Sequence, residues 1–180
     1  IKLANPKIHH TMLTSFFIIN KNGTTIFNKP FSDSLKKNAT YRNIFTTDVI
    51  IESNKKILYD ISKFEKNITN HIDSEIITTH KYSLAPPILT IGTTTMIYIF
   101  RDDLFYVAVI NKNEEAICIW ENLNRLYKIL IDLKILKSLR LKENMLKLIH
   151  IINFVINEQG IFQVENLNAD SITHFLIQSY

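Results

Sequence analysis

The stretch that decides the fold is Thr94–Ile110, with the sequence TTMIYIFRDDLFYVAVI. Thr94–Phe100 and Leu104–Ile110 are rich in β-branched and aromatic residues, and the polar residues Arg101–Asp103 lie between them. This pattern predicts two antiparallel strands joined by a turn. Leu104–Ile110 has no polar alternation, which predicts a central strand covered on both faces. Such a strand requires helices on both sides of the sheet.

Two further segments of the chain have strand character. Met12–Asn20 and Thr25–Lys29 flank Asn22-Gly23, and an Asn-Gly pair between apolar runs predicts a type I′ hairpin turn. Pro30 has no backbone N–H to donate to a neighbouring strand, so it is predicted to end the second strand. Ile88–Ile91, a short apolar run before a glycine, predicts one more strand.

Apolar periodicity predicts helices in two parts of the chain, before the strand Ile88–Ile91 and after the strand Leu104–Ile110. Leu35–Ser53 has apolar residues at roughly helical spacing, weakened by Thr46-Thr47, and Lys55–Thr69 repeats them at spacings of three and four. Gly160 is predicted to cap the C-terminus of the helix Leu141–Asn157 in a left-handed backbone conformation. Three more helices are predicted after the sheet: Ala116–Leu133, Leu141–Asn157 and Asp170–Ile177.

The composition of the 180-residue chain argues against several classes of protein. Three glycines leave almost no room for a phosphate-binding glycine loop, and one cysteine excludes an internal disulfide framework or a thiolate zinc cluster. The net charge of +4 is interpreted as solubility charge. The longest apolar run, Leu104–Ile110, is far shorter than the roughly 20 residues of a membrane-spanning helix. No signal peptide opens the sequence, so a reducing, cytoplasmic location is expected.

No residue pattern in the sequence predicts catalysis or metal binding. The histidines contain no pair at the i, i+4 spacing of a helical metal site. Cys118 lies in an apolar helical segment and is interpreted as a buried, inert thiol. Asp102 and Asp103 are assigned to turn chemistry. Three aromatic residues on or beside the apolar stripes are assigned to the core: Trp120, Tyr127 and Phe154. The sequence therefore predicts a protein that is not an enzyme and has no metal or cofactor.

Several short motifs follow one another in an informative order. Ser15–Gly23 (SFFIINKNG) and Ala85–Leu89 (APPIL) precede Tyr98–Val109 (YIFRDDLFYVAV). Glu121–Leu126, Lys142–Asn144 and Gly160–Gln163 come after them. Together these motifs resemble the N-terminal longin-type domain of the medium (mu) chains of clathrin-type adaptor complexes. The Arg-Asp-x-Leu-Phe-x-Val part is most similar to the third adaptor complex.

The resemblance runs from about Met12 to Ile177 and implies a fold, a role and partners. The fold is α/β (α+β), a longin-like (profilin-like) five-stranded antiparallel sheet with helices on both faces. The role is that of a non-enzymatic core domain of a heterotetrameric adaptor complex in vesicle-mediated protein transport. The domain would dock on a large β-type adaptin chain and associate peripherally with Golgi, endosomal or coated-vesicle membranes. No nucleic acid or small-molecule substrate is expected.

The expected contacts with a partner involve a small set of residues. The resemblance suggests four positions near a partner surface, for which ordinary sheet packing or a turn is the alternative explanation: Phe27, Tyr98, Phe100 and Arg101.

The sequence also departs from the family pattern. Residues 1–11 are interpreted as a leader or non-native extension, and residues 12–180 as a longin-like domain with an insertion around 51–84. The cargo-reading C-terminal β domain of a medium chain is missing from this sequence, so no cargo-reading role is carried over. Two alternatives remain: an adaptor small (sigma) chain, against which Gly160-x-x-Gln163 argues, and a regulatory longin module of a SNARE or tethering complex.

Overall fold

The computed structural model describes residues 12–31, 35–51, 87–111, 116–136 and 142–179. The predicted extension 1–11, the predicted helix Lys55–Thr69 and nearly all of the predicted insertion 51–84 lie outside these ranges. Across the described ranges, the helices are too short or too polar to cross a membrane.

A five-stranded antiparallel sheet forms the centre of the molecule. Its spatial order is β2-β1-β5-β4-β3, so the chain passes from one edge to the other between β2 and β3. Helices pack on both faces, which confirms the predicted α+β, longin-like fold class. In chain order the strands are β1 (Leu13–Asn20), β2 (Thr25–Pro30), β3 (Ile88–Ile91), β4 (Thr94–Arg101) and β5 (Leu104–Asn111).

The central strand β5 is buried on both faces, as its unbroken apolar sequence predicted. Every residue of Leu104–Ile110 is at most 9% exposed. The turn before it is tighter than predicted, because Arg101 pairs with Leu104 and only two residues separate the strands. Asp102 and Asp103 both have positive φ angles, 49° and 62°, as a type I′ turn requires.

Strand β2 ends at Pro30, as predicted, although Pro30 itself still belongs to the strand. The strand includes Pro30, which is paired with Ser15 of β1. Strand β2 is at the edge of the sheet, where the missing proline N–H does not interrupt a central ladder.

A short helical layer covers one face of the sheet. Helix α1 (Leu35–Phe45) continues into a π-helical segment, Thr46–Ile51. The sequence predicted a single helix over Leu35–Ser53. The change of helix type begins at Thr46-Thr47, where two β-branched residues lower the preference for a regular α-helix.

Phe45 is the centre of the core on this face. Its side chain is fully buried, and Val49 and Ile50 of the π-helical segment belong to the same cluster. Its ring lies edge-on to three others, at centroid distances of 5.9, 5.1 and 5.4 Å: Phe17, Tyr98 and Phe105.

A buried polar network fixes α1 against the sheet. The Ser15 Oγ donates a hydrogen bond to Asn38 Oδ1 at 2.7 Å, and Asn38 Nδ2 donates to Asn28 Oδ1 at 2.9 Å. Asn38 is only 2% exposed, so water cannot reach its amide. Without these partners the buried amide would have no hydrogen bonds, which would destabilise the fold. The network therefore favours one position of α1 over β1 and β2.

The opposite face carries a thicker helical layer. Its large apolar cluster joins residues of β1, β4 and β5 to the helices that follow the sheet. Asn168 caps the last helix by accepting a hydrogen bond from the backbone N–H of Ser171 at 2.8 Å. The elements are α2 (Ala116–Asp132), α3 (Lys142–Val155), a 3₁₀ turn (Val164–Asn166) and α4 (Ala169–Gln178), which confirms the three predicted helices.

Two residues of α2 are more exposed than the sequence indicated. Cys118 was predicted to be buried, and the structure places it at the surface. Trp120 was assigned to the core, and it is 38% exposed. Both predictions failed because the buried stripe of α2 runs along another side of the helix, through six residues: Ile119, Asn122, Leu123, Leu126, Ile129 and Leu130.

Candidate partner-docking surface

Phe100 and Arg101 lie where β4 enters the tight turn to β5. The Phe100 ring is half-buried against Phe105, with ring centroids 4.5 Å apart. Arg101 is exposed, and its Nη1 donates a hydrogen bond to the carbonyl oxygen of Phe100 at 2.8 Å. This contact holds the guanidinium beside the turn with its charge at the surface. These two predicted docking residues are therefore adjacent.

The same turn is held by three polar contacts that the sequence did not predict. Lys21 Nζ forms an ion pair with Asp103 Oδ2 at 2.9 Å, and the Lys21 backbone N–H donates to the Asp103 carbonyl oxygen, also at 2.9 Å. The Tyr127 hydroxyl donates to Asp102 Oδ2 at 3.0 Å. The pKa of Tyr127 is raised, mainly by its partial burial and to a smaller extent by this hydrogen bond. We call Lys21, Phe100, Arg101, Asp102 and Asp103 the turn surface.

The turn surface combines two cationic and two anionic side chains beside the ring of Phe100. It joins the β1–β2 turn, the β4–β5 turn and helix α2 through backbone and side-chain hydrogen bonds. Exposed ion pairs add little stability, since water and salt screen them. Such fixed charges instead suit specific recognition, because they disfavour partners with the wrong charge pattern.

Tyr98 belongs to the core rather than to the surface. It is 4% exposed, and its ring lies 5.1 Å from Phe45 and 6.0 Å from Phe105. Burial raises the pKa of its hydroxyl to about 12, because the phenolate would lose solvation by water. In this arrangement a partner would reach Tyr98 only after displacing the α1 layer.

At high pH, folding stability is expected to fall, and Tyr98→Phe is expected to weaken that fall. Tyrosine in an unfolded chain ionises near its ordinary pKa of about 10, whereas folded Tyr98 has a pKa of about 12. Between these values the unfolded state holds fewer protons, so the free energy of unfolding decreases as pH rises. Urea unfolding from about pH 9 to about pH 11 measures this slope. An identical slope in the Tyr98→Phe variant would contradict the prediction.

Phe27 lies apart from the other three predicted docking residues. It is half-buried in the edge strand β2, and its ring packs against Phe16 at a centroid distance of 6.0 Å. Phe27 contacts the core of the α2–α4 face, whereas Tyr98 and Phe100 contact the core of the α1 face. Strands β1 and β5 also separate β2 from β4. The four residues therefore do not form one patch.

The end of α3 is closed by donors from other parts of the chain. The backbone N–H of Gln163 donates to the Val155 carbonyl oxygen at 2.8 Å, and Asn166 Nδ2 donates to the Phe154 carbonyl oxygen at 3.0 Å. The last carbonyls of a helix have no partner within the helix, so these donors satisfy them. Residues 160–163, quoted above as a family motif, thus belong to a structural helix end.

Lys29 closes the same helix end from β2. Its Nζ donates to the Ile156 carbonyl oxygen at 2.9 Å and lies 4.9 Å from the centre of the Phe31 ring. Burial lowers the pKa of Lys29, and the carboxylate of Glu158 partly offsets this effect. A cation here is favoured by the partial negative charge at the helix C-terminus.

Gly160 is not the helix C-cap that the sequence predicted. Helix α3 ends at Val155, and Ile156 then forms an isolated bridge with Phe162. Gly160 lies in the turn inside this bridge, where its N–H donates to the Asn157 carbonyl oxygen at 3.0 Å. Its φ of +78° does confirm the left-handed backbone that the prediction required.

Helix α2 presents a second surface suited to a partner. Ile117, Trp120 and Ile131 are 73%, 38% and 39% exposed. Ile117 and Trp120 are three residues apart, and Ile131 follows Trp120 after eleven residues, or about three helical turns, so all three lie along one side of the helix. Asn124 lies between them and its Nδ2 donates to the Trp120 carbonyl oxygen at 2.9 Å. Aromatic and aliphatic side chains of this kind are enriched at the centres of protein interfaces.

Possible metal ligands are not clustered within the described ranges. These ranges contain no group of three or more His, Cys, Asp or Glu side chains placed to hold a metal ion.

Comparisons with known proteins give no family for this chain. No protein-family model matches it, and no curated protein matches it either. Two features therefore bear on function: the longin-like fold and the geometry of the surfaces described above.

Proposed function

We propose that this chain is a non-enzymatic docking domain of a heterotetrameric adaptor complex in vesicle-mediated protein transport. The observation that carries the proposal is the strand order β2-β1-β5-β4-β3, with α1 on one face and the helices after β5 on the other. This is the architecture that the resemblance to adaptor medium chains implies. The quoted motifs supply β1, the β4–β5 hairpin and parts of α2 and α3.

The proposed partner is a large β-type adaptin chain. Both faces of the sheet are occupied by this chain's own helices, so a partner has to use helix surfaces, turns or sheet edges. The turn surface offers fixed charges, and α2 offers Ile117, Trp120 and Ile131. A specific complex buries about 1,200–2,000 Å² in total, with about 20–30 residues on each partner, whereas the turn surface has five residues and the exposed side of α2 has three. We therefore place both surfaces within one large interface.

The proposed location is peripheral, on Golgi, endosomal or coated-vesicle membranes, through the assembled complex. Two alternatives have the same architecture. An adaptor small (sigma) chain would use the domain alone, and a regulatory longin module of a SNARE or tethering complex would fold against a fusion helix. A heptad-repeat helix downstream of this sequence would favour the SNARE alternative, and a β-rich extension would favour the medium chain.

Co-expression with the helical trunk of a β-type adaptin chain tests the proposal. We expect the two chains to co-elute in size-exclusion chromatography at equal stoichiometry. Arg101→Glu is expected to weaken the complex at least tenfold, because it replaces a cation of the turn surface by an anion and so changes the charge pattern that the partner has to match. Trp120→Ala should also weaken it, since aromatic residues at interface centres contribute most of the binding energy.

A charge reversal of Lys37, exposed on α1, is the matched control. Lys37→Glu should leave the complex intact. If the unmodified chain retains no large adaptin chain, the adaptor proposal is wrong. If Lys37→Glu weakens the complex as much as Arg101→Glu does, the turn surface is not the docking site.

A further inference from the structure

A groove lies between the end of α3, the 3₁₀ turn and α4. It encloses about 480 Å³, within the range of small-ligand and side-chain binding sites. Phe154 and Asn166 line one wall, and Asp170, His174 and Phe175 line the other. These residues all lie in described parts of the chain, outside the turn surface and outside the exposed side of α2.

Two stacked aromatic rings form the apolar part of the groove. Phe154 of α3 and Phe175 of α4 lie 4.2 Å apart with an interplanar angle of 10°. Both are half-buried, so they hold α4 on α3 and still contribute surface to the groove. The face of an aromatic ring carries partial negative charge and attracts cations.

A polar row of α4 runs along the same groove. Asp170, His174 and Gln178 are spaced four residues apart, which places them on one side of the helix about one turn from each other. Asp170 supplies a carboxylate and Gln178 a carbonyl oxygen. Among the described residues, none that lines the groove is a lysine or an arginine. The groove is therefore complementary to a cation.

We infer that this groove binds an arginine side chain of a polypeptide partner. Phe154 and Phe175 each cover one face of the other, so the planar guanidinium stacks on an outer ring face and donates paired hydrogen bonds to the Asp170 carboxylate. In this arrangement the guanidinium lies against the Phe154–Phe175 rings, and Asp170 accepts its hydrogen bonds. A lysine ammonium is a more strongly hydrated point charge without a planar face, and it fits less well. This inference does not depend on the adaptor proposal.

The polypeptide source of the arginine follows from the shape of the groove. The polar row extends over two turns of α4, from Asp170 to Gln178, which is longer than one side chain needs. The Asn166 Nδ2 is already bonded to the Phe154 carbonyl oxygen, which leaves its Oδ1 to accept from a peptide N–H, and the Gln178 amide can pair with both N–H and C=O groups. A peptide backbone on either side of the arginine therefore has partners along the groove.

Nuclear magnetic resonance titration of the full chain tests this inference. The probe is the blocked tripeptide acetyl-Gly-Arg-Gly-amide, and the readout is the shift of backbone amide signals from residues 166–178. The matched probe replaces arginine by citrulline, which has nearly the same shape and no charge. We expect the arginine peptide to bind about tenfold more tightly than the citrulline peptide, as the loss of a charge-assisted hydrogen bond implies.

Variants of the chain separate the groove from general surface attraction. Asp170→Asn is expected to weaken binding of the arginine peptide about tenfold, and Gln178→Glu to strengthen it severalfold by adding a second carboxylate. Glu165→Gln removes an exposed carboxylate outside the groove lining and should leave binding unchanged. The dispersion of the amide signals reports folding in each variant.

Three results would overturn the inference. Equal binding of the arginine and citrulline peptides would remove the role of charge. Equal effects of Asp170→Asn and Glu165→Gln would remove the role of the groove. Free arginine binding as tightly as the blocked tripeptide would assign the groove to a small molecule rather than to a polypeptide.

Discussion

Gly160→Ala is expected to lower the free energy of unfolding by about 3 kcal/mol or more. Gly160 has a φ of +78°, a conformation that costs an L-residue with a side chain roughly 1–2 kcal/mol. A Cβ at this position would also press directly against the Leu13 carbonyl oxygen and lie 3.0 Å from Cγ of the Phe31 ring. The Leu13 oxygen cannot easily move away, because the Leu13 N–H is hydrogen-bonded to the Gly160 carbonyl oxygen at 2.8 Å. Strand β1 and the turn after α3 would have to separate.

Gly92→Ala is the matched control for this substitution. Gly92 also has a positive φ, +60°, but a Cβ there would meet no atom of the described residues within 4 Å. Its expected cost is therefore the backbone term alone, about 1 kcal/mol. Urea unfolding of the two variants measures the difference as a change in transition midpoint at constant slope. Equal losses would show that the close approach to Leu13 contributes nothing.

The strands were predictable because their signals are local. Leu104–Ile110 has seven consecutive apolar residues, and such a run is stable only where both faces are covered. Asn-Gly and Asp-Asp pairs mark turns from their own composition. The type I′ turn predicted at Asn22-Gly23 is wrong, however, because only Gly23 has a positive φ and four residues separate β1 from β2. From these segments, the antiparallel sheet and the need for two helical layers follow without knowledge of distant contacts.

Long-range contacts were not predictable from the sequence. Lys21 and Asp103 pair across 82 positions of the chain, and neither residue carries a local signal for the other. The bond from Lys29 to the Ile156 carbonyl oxygen spans 127 positions. The turn surface and the closed end of α3 both depend on such contacts, so the sequence singled out Phe100, Arg101 and the Asp102-Asp103 turn but neither Lys21 nor Lys29.

Errors on α2 have a different physical origin. Its residues near Cys118 and Trp120 are apolar on more than one side of the helix, so periodicity alone could not say which side faces the sheet. The structure buries the side with Ile119 and Leu123 and leaves Ile117 and Trp120 exposed. Apolar residues left outside the core in this way are the ones we assign to a partner.

The groove on α4 did carry a signal in the sequence. Asp170, His174 and Gln178 repeat every four residues, which marks a polar side of a helix. The sequence did not show that this side borders a groove, because the opposite wall comes from Phe154 and Asn166. Only the packing of α4 on α3 brings the aromatic rings beside the carboxylate.

The two helical layers differ in how firmly they are held. Three helices pack on one face of the sheet, whereas α1 and the π-helical segment cover the other in the described ranges. Helix α1 has little apolar surface of its own, with Tyr41, Ile44 and Phe45 as its large apolar contributions to the core. Its attachment therefore depends on a few side chains, and Phe45 is the most buried of them.

Phe45→Ala is accordingly expected to cost about 3–5 kcal/mol of folding stability, the usual range for removing a fully buried phenylalanine. The ring is completely buried, and its loss would leave a cavity next to Tyr98 and Phe105, both of which pack edge-on to it. Urea unfolding measures the loss, and Tyr41→Ala, at a half-buried ring of the same helix, is the control, with an expected cost of about 1 kcal/mol. The loss of stability expected for Phe45→Leu lies between those of Phe45→Ala and Tyr41→Ala, because leucine fills part of the cavity that alanine leaves. If Phe45→Ala costs no more than Tyr41→Ala, α1 is not held by its aromatic contacts and the buried Asn38 network has to be its main attachment.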